Sequence, residues 1–129
     1  HFFDLLVWLF GDVERYELNY YDPNKAAGVL ELKNARVRWF LSIDYDDLPE
    51  QIKKDGGYAY RSFSFNGDEI ELSKGFTGLH TRVYESILEG NGFGIEDARP
   101  SIELVHKLRS CEITPPGELS HSFLKNINR

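Results

Sequence analysis

Methionine is absent from all 129 residues, position 1 included. A translated chain starts with methionine, and a helix start normally carries Ser, Thr, Asp or Asn. This one opens abruptly on HFFDLLVWLF. The expectation is a piece of a longer protein, cut inside or just before a helix, with part of its function upstream. Cysteine is nearly absent too. The single thiol, Cys111, has no internal disulfide partner and no neighbouring ligand set, which points to a reducing, cytoplasmic setting and to no metal site. Long apolar runs are missing. The longest, residues 5–10, falls far short of the roughly 20 residues that cross a bilayer, and no basic segment precedes it. A positive balance is missing as well: 21 acidic against 15 basic residues give a formal charge of −6. Phosphate-tracking surfaces rest on clustered Lys and Arg, so nucleic acid is a poor fit as partner. Cofactor cradles are the last absence. No Gly-x-Gly-x-x-Gly follows a strand pattern, Asn91-Gly92-Phe93-Gly94 lacks a P-loop lysine, and no His or Cys cluster has metal spacing.

What is present is organised around residues 27–45, AGVLELKNARVRWFLSIDY, where side-chain type alternates every second residue. Ala35, Val37, Trp39, Leu41, Ile43 and Tyr45 share one side, and Arg36, Arg38, Phe40, Ser42 and Asp44 the other. That is strand rather than helix periodicity. Lys33-Asn34 separates this run from residues 28–32, and Asn tolerates the positive φ of a tight hairpin turn. A long antiparallel hairpin is predicted at the centre of a sheet.

Around it the patterns are shorter. Phe2, Leu5, Leu6 and Leu9 recur at helical spacing, with Gly11 placed for a left-handed cap. This helix is so apolar that both its sides are expected to be covered. Val13–Tyr21 suits a strand with one solvated face. Residues 48–57, LPEQIKKDGG, read as a flexible surface loop. Residues 58–65 return to strand character, Asn66-Gly67-Asp68 is a tight turn, and residues 69–72 complete that hairpin. From Thr77 the period is helical, with Leu79, Val83, Tyr84, Ile87 and Leu88 on one face. A second helix over 97–110 presents Ala98, Ile102, Val105 and Leu108 as its buried stripe, with Pro100 in the first turn, where a missing N–H is harmless. Runs of strands beside separate helices give an α+β fold, an open, mostly antiparallel β-sheet with helices packed on one face. Residues 1–110 form one domain by size. Residues 111–129 form a C-terminal tail that docks as a short helix or stays loose.

His1 and Asp4 stand one turn apart on nearly the same helix face, an imidazole with a carboxylate nearby. On spacing alone the bland reading prevails: a frayed first residue, with Asp4 complementing the helix N-terminus. His80 and Tyr84 are four residues apart on the later helix, and with Arg82 they offer hydrogen bonds to a polar or anionic substrate. The bland alternative is a half-buried boundary histidine with Arg82 paired to Glu85 or Glu89. Arg36 and Arg38 form a fork fit for a carboxylate or diphosphate, or else pair across strands with Glu17 or Glu31. His106 is assigned no role.

HFFDLLVWLFG, AAGVLELKNARVRWFLSIDY and IELSKGFTGLHTRVYESILEGNGFGIEDARPSIELVHKLR together resemble the C-terminal domain of the Gfo/Idh/MocA family of NAD(P)-dependent sugar oxidoreductases. Within it the likeness is to the branch that oxidises UDP-N-acetyl-2-amino-2-deoxy-D-glucuronate (UDP-N-acetylglucosaminuronate) at C3 in bacterial surface-polysaccharide synthesis. It runs to about Ser110, and the tail carries none of it. The resemblance implies a Rossmann domain ahead of residue 1 that binds NAD and supplies a catalytic lysine. The family signature places a histidine at a helix start with Asp three residues later. His1 and Asp4 match it, which implies that His1 is the active-site histidine, contacting the hydroxyl under oxidation. Asp4, His80, Arg82 and Tyr84 stand beside it as substrate-binding candidates. Also implied are a nucleotide-sugar substrate, self-association through an exposed sheet face as dimers or tetramers, and inactivity of this stretch alone. The face of Phe40, or that of Tyr16, Tyr20, Trp39 and Tyr45, is expected to be left bare by the chain's own helices. Two alternatives remain: a non-catalytic relative that uses the sheet for binding or assembly, and an enzyme of the family acting on another sugar or a cyclitol.

Overall fold

A computed structural model describes residues 1–73 and 77–127. Lys74, Gly75 and Phe76, within the family-like stretch, and Asn128 and Arg129 lie outside the described residues. In chain order the elements are α1 (Phe2–Phe10), β1 (Val13–Tyr21), β2 (Lys25–Leu32), β3 (Ala35–Ser42), α2 (Glu50–Lys54), β4 (Ser62–Phe65), β5 (Asp68–Glu71), α3 (Leu79–Leu88), α4 (Ile95–Ser110) and α5 (Leu124–Ile127). They fall into two units, His1–Ile43 together with the residues from Phe93 onward, and Asp44–Gly92. The described strands accordingly divide into a three-stranded sheet, β1-β2-β3, and the separate β4-β5 hairpin.

In the first unit the expected hairpin forms, with Leu32 facing Ala35 across Lys33-Asn34. Its turn is made differently from the expectation. Neither residue takes positive φ; instead the Lys33 N–H donates to the Asp12 carbonyl and the Asn34 N–H to the Phe10 carbonyl, each at 3.0 Å. The link after α1 therefore clamps the turn. Antiparallel register puts Val13, Tyr16, Leu18, Leu30, Leu32, Val37 and Trp39 on one face of the sheet. Arg15, Glu17, Val29, Glu31, Arg36, Arg38 and Phe40 lie on the other. A bulge between Leu18 and Tyr20 shifts the alternation by one residue. Tyr20 consequently pairs with Ala27 and joins the Phe40 face, not that of Tyr16 and Trp39.

The core lies under the first face. α1 sends down Phe2, Phe3, Leu6, Val7 and Phe10, and α4 adds Leu104 and Leu108, with Cys111 just beyond its end. Each of these large side chains stabilises the fold by about 1.5–3 kcal/mol when fully buried. Of the expected α4 stripe Leu108 is buried, but Ile102 and Val105 are exposed and Leu104 is buried in their place. α4 has apolar residues on two faces, and packing against α1 and β1 selects one of them. α1 likewise departs from expectation, because only one of its sides is covered: Trp8 is 80% and Leu9 42% exposed.

The tail is docked. Ile113 forms a parallel bridge to Leu18, the Thr114 N–H donates to the Leu18 carbonyl at 2.8 Å, and Asn19 Nδ2 donates to the Thr114 carbonyl at 3.3 Å. The chain then reaches the second face, where His121 and Phe123 pack on Phe40. Helices thus cover one face of the sheet, and the tail covers part of the other.

In the second unit, Asn66 and Gly67 make the predicted tight turn with φ of 52° and 91°. Residues 48–57, expected to be loop, contain α2. A 3-10 turn at Tyr45–Asp47 precedes it, capped by the Asp44 carboxylate, which accepts the Asp46 N–H at 3.0 Å. Lys53 Nζ reaches Glu50 at 2.9 Å and the Asp46 carbonyl at 3.0 Å, and the acidic start and basic end of α2 complement its dipole. No described residue of Asp44–Gly92 is buried.

Candidate active site

α1 begins directly after His1, whose carbonyl accepts the Leu5 N–H at 3.0 Å, while the imidazole makes no capping bond. Since Phe2, Phe3, Leu6, Val7 and Phe10 claim the inner side, His1, Asp4 and Trp8 line up along the outer side over two turns. All are exposed, and no hydrogen bond joins the imidazole to the carboxylate. Both groups therefore keep their polar atoms open to a ligand. An imidazole takes up or releases a proton near neutrality, which suits it to receive the proton of a hydroxyl under oxidation. Asp4 adds an acceptor one turn on, and Trp8 a flat apolar wall beyond it. Trp8 was missed in the sequence. The signal was its position, off the Phe2-Leu6-Phe10 stripe and on the line of His1 and Asp4.

The other sequence candidates lie on α3, in the second unit. His80 and Tyr84 share a side of that helix and are exposed, Tyr84 to 68%. Arg82 lies about 200° round the helix from His80, so it does not join them. It is exposed and carries no ion pair to Glu85 or Glu89. His80 is not half buried against a sheet. On β3, Arg36 pairs across the strands with Glu31 at 3.0 Å, the bland reading of the Arg36/Arg38 fork. Arg38 stands apart from that pair, exposed, with its charge acting on His121.

A dinucleotide needs free N–H groups at a helix N-terminus to take its pyrophosphate. At α4 that position is taken. The Asp97 carboxylate accepts the Gly94 N–H at 2.6 Å, and the Asp97 N–H donates to the Gly94 carbonyl at 3.2 Å. A carboxylate there repels phosphate, so this end of α4 does not fit a nicotinamide cofactor.

No family model matches the chain. Solved structures do. The WlbA (WbpB) dehydrogenase from Thermus thermophilus, in complex with NAD and alpha-ketoglutarate, superposes with a TM-score of 0.89 at 47% identity over 95% of this chain. The same dehydrogenase in complex with NAD and UDP-GlcNAcA gives 0.88 at 45% identity, again over 95% of this chain. The chain is a C-terminal domain of the Gfo/Idh/MocA family. It spans 40% of the length of those dehydrogenase chains. The α+β arrangement, with α1 and α4 on one face of an antiparallel sheet, is that of the family's domain.

Proposed function

We propose that residues 1–110 are the substrate-side, oligomerising domain of an NAD-dependent nucleotide-sugar dehydrogenase, with residues 111–129 as its tail. The parent oxidises the C3 hydroxyl of UDP-N-acetylglucosaminuronate, in the cytoplasm, for lipopolysaccharide and other surface-polysaccharide synthesis. The observation that carries this reading is 45% identity, over 95% of this chain, to a dehydrogenase solved with NAD and UDP-GlcNAcA. His1 is the catalytic residue, receiving or relaying the hydroxyl proton. Asp4 is the substrate contact on the same helix, and His80 and Tyr84 on α3 are further substrate-binding candidates, from which Arg82 is turned away. NAD belongs to the rest of the parent chain. The direct test assays the parent with UDP-N-acetylglucosaminuronate and NAD, and follows NADH by absorbance. Turnover is expected from the parent, while residues 1–129 alone show neither turnover nor NAD binding by calorimetry. A parent that leaves NAD unreduced removes the substrate assignment, and turnover by residues 1–129 alone removes the division of labour.

Self-association is part of the same reading. The Trp39 face is filled by α1 and α4, which leaves the Phe40 face beside the tail for a second copy. There Arg15, Glu17, Glu31, Arg36 and Arg38 supply charges of both signs, suited to a two-fold contact in which each patch meets itself. Light scattering on the parent is expected to give a dimer or tetramer mass. A monomer across a wide concentration range overturns this.

A further inference from the structure

We propose that residues 111–124 are a releasable strap over the Phe40 face of the sheet, closed at neutral pH and opened by acid. The inference rests on the geometry of this chain and stands apart from the dehydrogenase reading. The near end of the strap is stitched to the edge of β1 through Ile113, Thr114 and the buried Asn19. Pro115-Pro116-Gly117 then turns the chain, with Ser120 Oγ accepting the Gly117 N–H at 2.9 Å. Glu118 and Leu119 are exposed. The far end is an aromatic clasp. His121 stacks on Phe40 at 5.7 Å and 25°, and Phe123 meets Phe40 edge-on at 5.1 Å. Leu124 is 2% and Ser120 7% exposed.

The clasp depends on a neutral imidazole. His121 Nδ1 accepts the backbone N–H of Phe123 at 3.3 Å, a bond that a protonated Nδ1 has no lone pair to make. The charged groups on this face are Arg36 and Arg38 of β3, Lys25 and Glu31 of β2, and Arg15 and Glu17 of β1, with Glu112 and Glu118 along the strap and Lys125 just beyond it. Arg36 is paired with Glu31 and Arg15 with Glu17. Arg38 is the charge that acts on the ring. Burial first, and the Arg38 guanidinium second, hold the imidazole below its ordinary value. Docking therefore favours the neutral ring: its contribution is whole above the pKa of a free imidazole and is lost as pH falls through the lower docked value. Opening would bare Phe40, which shares its face with the buried Ala27 and Val29.

Amide hydrogen exchange between about pH 8 and about pH 5, corrected for intrinsic rates, tests this. Thr114, Ser120 and Leu124, whose N–H groups are all bonded, report on the strap, and the β2 amides serve as internal reference. In the wild type, the strap is expected to lose protection in acid while β2 keeps its own. His121→Phe keeps a stacking ring, lacks the Nδ1 acceptor at every pH and has no proton to gain, so its strap protection is expected to be the same at both ends of the range. Arg38→Gln is expected to lessen the acid loss. Wild-type strap amides that stay protected in acid overturn the proposal, as do strap amides already unprotected at the alkaline end. An acid loss in His121→Phe equal to that of the wild type also overturns it, and intact β2 protection there confirms that the variant is folded.

Discussion

Replacing His1 by alanine in the full parent is expected to lower kcat/KM for UDP-N-acetylglucosaminuronate by about 10²–10⁴-fold, the range lost with a positioned proton acceptor. NAD affinity should not change, since in the proposed function NAD belongs to the rest of the parent chain. The expectation follows from the placement of His1 as well as from the family likeness. Oxidising a secondary hydroxyl releases its proton, and His1 presents an imidazole that is exposed and bound neither to Asp4 nor to the helix end. Because His1 touches nothing in the core, thermal unfolding of the variant should match that of the wild type, so a loss of rate is not a loss of fold. The kinetic pattern discriminates further. A fall shared by kcat and kcat/KM marks an interaction made in the transition state, whereas a raised KM with unchanged kcat marks binding alone. A variant with wild-type kcat/KM removes His1 from the chemistry. It would move attention to Asp4 and Trp8 on the same outer side of α1.

The legibility of the chain varied with the kind of signal each segment carries. The β2-β3 hairpin could be read because its alternation is unbroken and one of its faces is buried. The Asn66-Gly67 turn was legible because only a few residue types adopt its backbone. β1 was legible as a strand, yet its two register shifts, at Val13/Arg15 and Leu18/Tyr20, were not: the second sends Tyr20 to the other face, and nothing in NYY announces it. α2 was hidden by composition, since Pro49, Lys53, Lys54 and the glycines after them resemble a loop. Its Glu50–Lys53 pair, and the Asp44 cap of the 3-10 turn before it, appear only in three dimensions. On α4 two apolar faces competed, and the partner α1 chose between them. The docking of the tail was the least legible feature, because it hangs on single residues, Thr114, His121 and Leu124, and not on a periodic stripe. For the candidate site, helical spacing was enough to place His1 beside Asp4. Trp8 escaped because an apolar residue in an apolar helix reads as core. The same arithmetic that joins His80 to Tyr84 separates Arg82 from them.

Gly28→Ala is expected to remove about 3 kcal/mol or more of stability, the upper part of the range for overpacking a core. Gly28 sits in the middle strand, paired with Leu18 on one side and Trp39 on the other. A Cβ at Gly28 would stand 2.1 Å from the Glu17 carbonyl oxygen and 2.8 Å from Cζ2 of Trp39. The first contact is with backbone, so no rotamer relieves it. The second presses on an indole that is 3% exposed and already has the Phe3 ring edge-on at 5.2 Å. Sheet and indole must both move. In a domain stabilised by about 5–15 kcal/mol, urea denaturation should show a clearly lower midpoint, while Gly117→Ala, whose added Cβ has nothing within 4 Å, stays within about 0.5 kcal/mol of wild type. An unchanged midpoint for Gly28→Ala would refute this account of the core. The consequence reaches the candidate site, because Phe3 belongs to α1 and ties the helix to Trp39. A displaced Trp39 unseats the inner side of α1, and with it the outer line of His1, Asp4 and Trp8. In the parent, Gly28→Ala should therefore lower kcat as well as stability, although Gly28 lies under the sheet's own core and offers no side chain to a substrate.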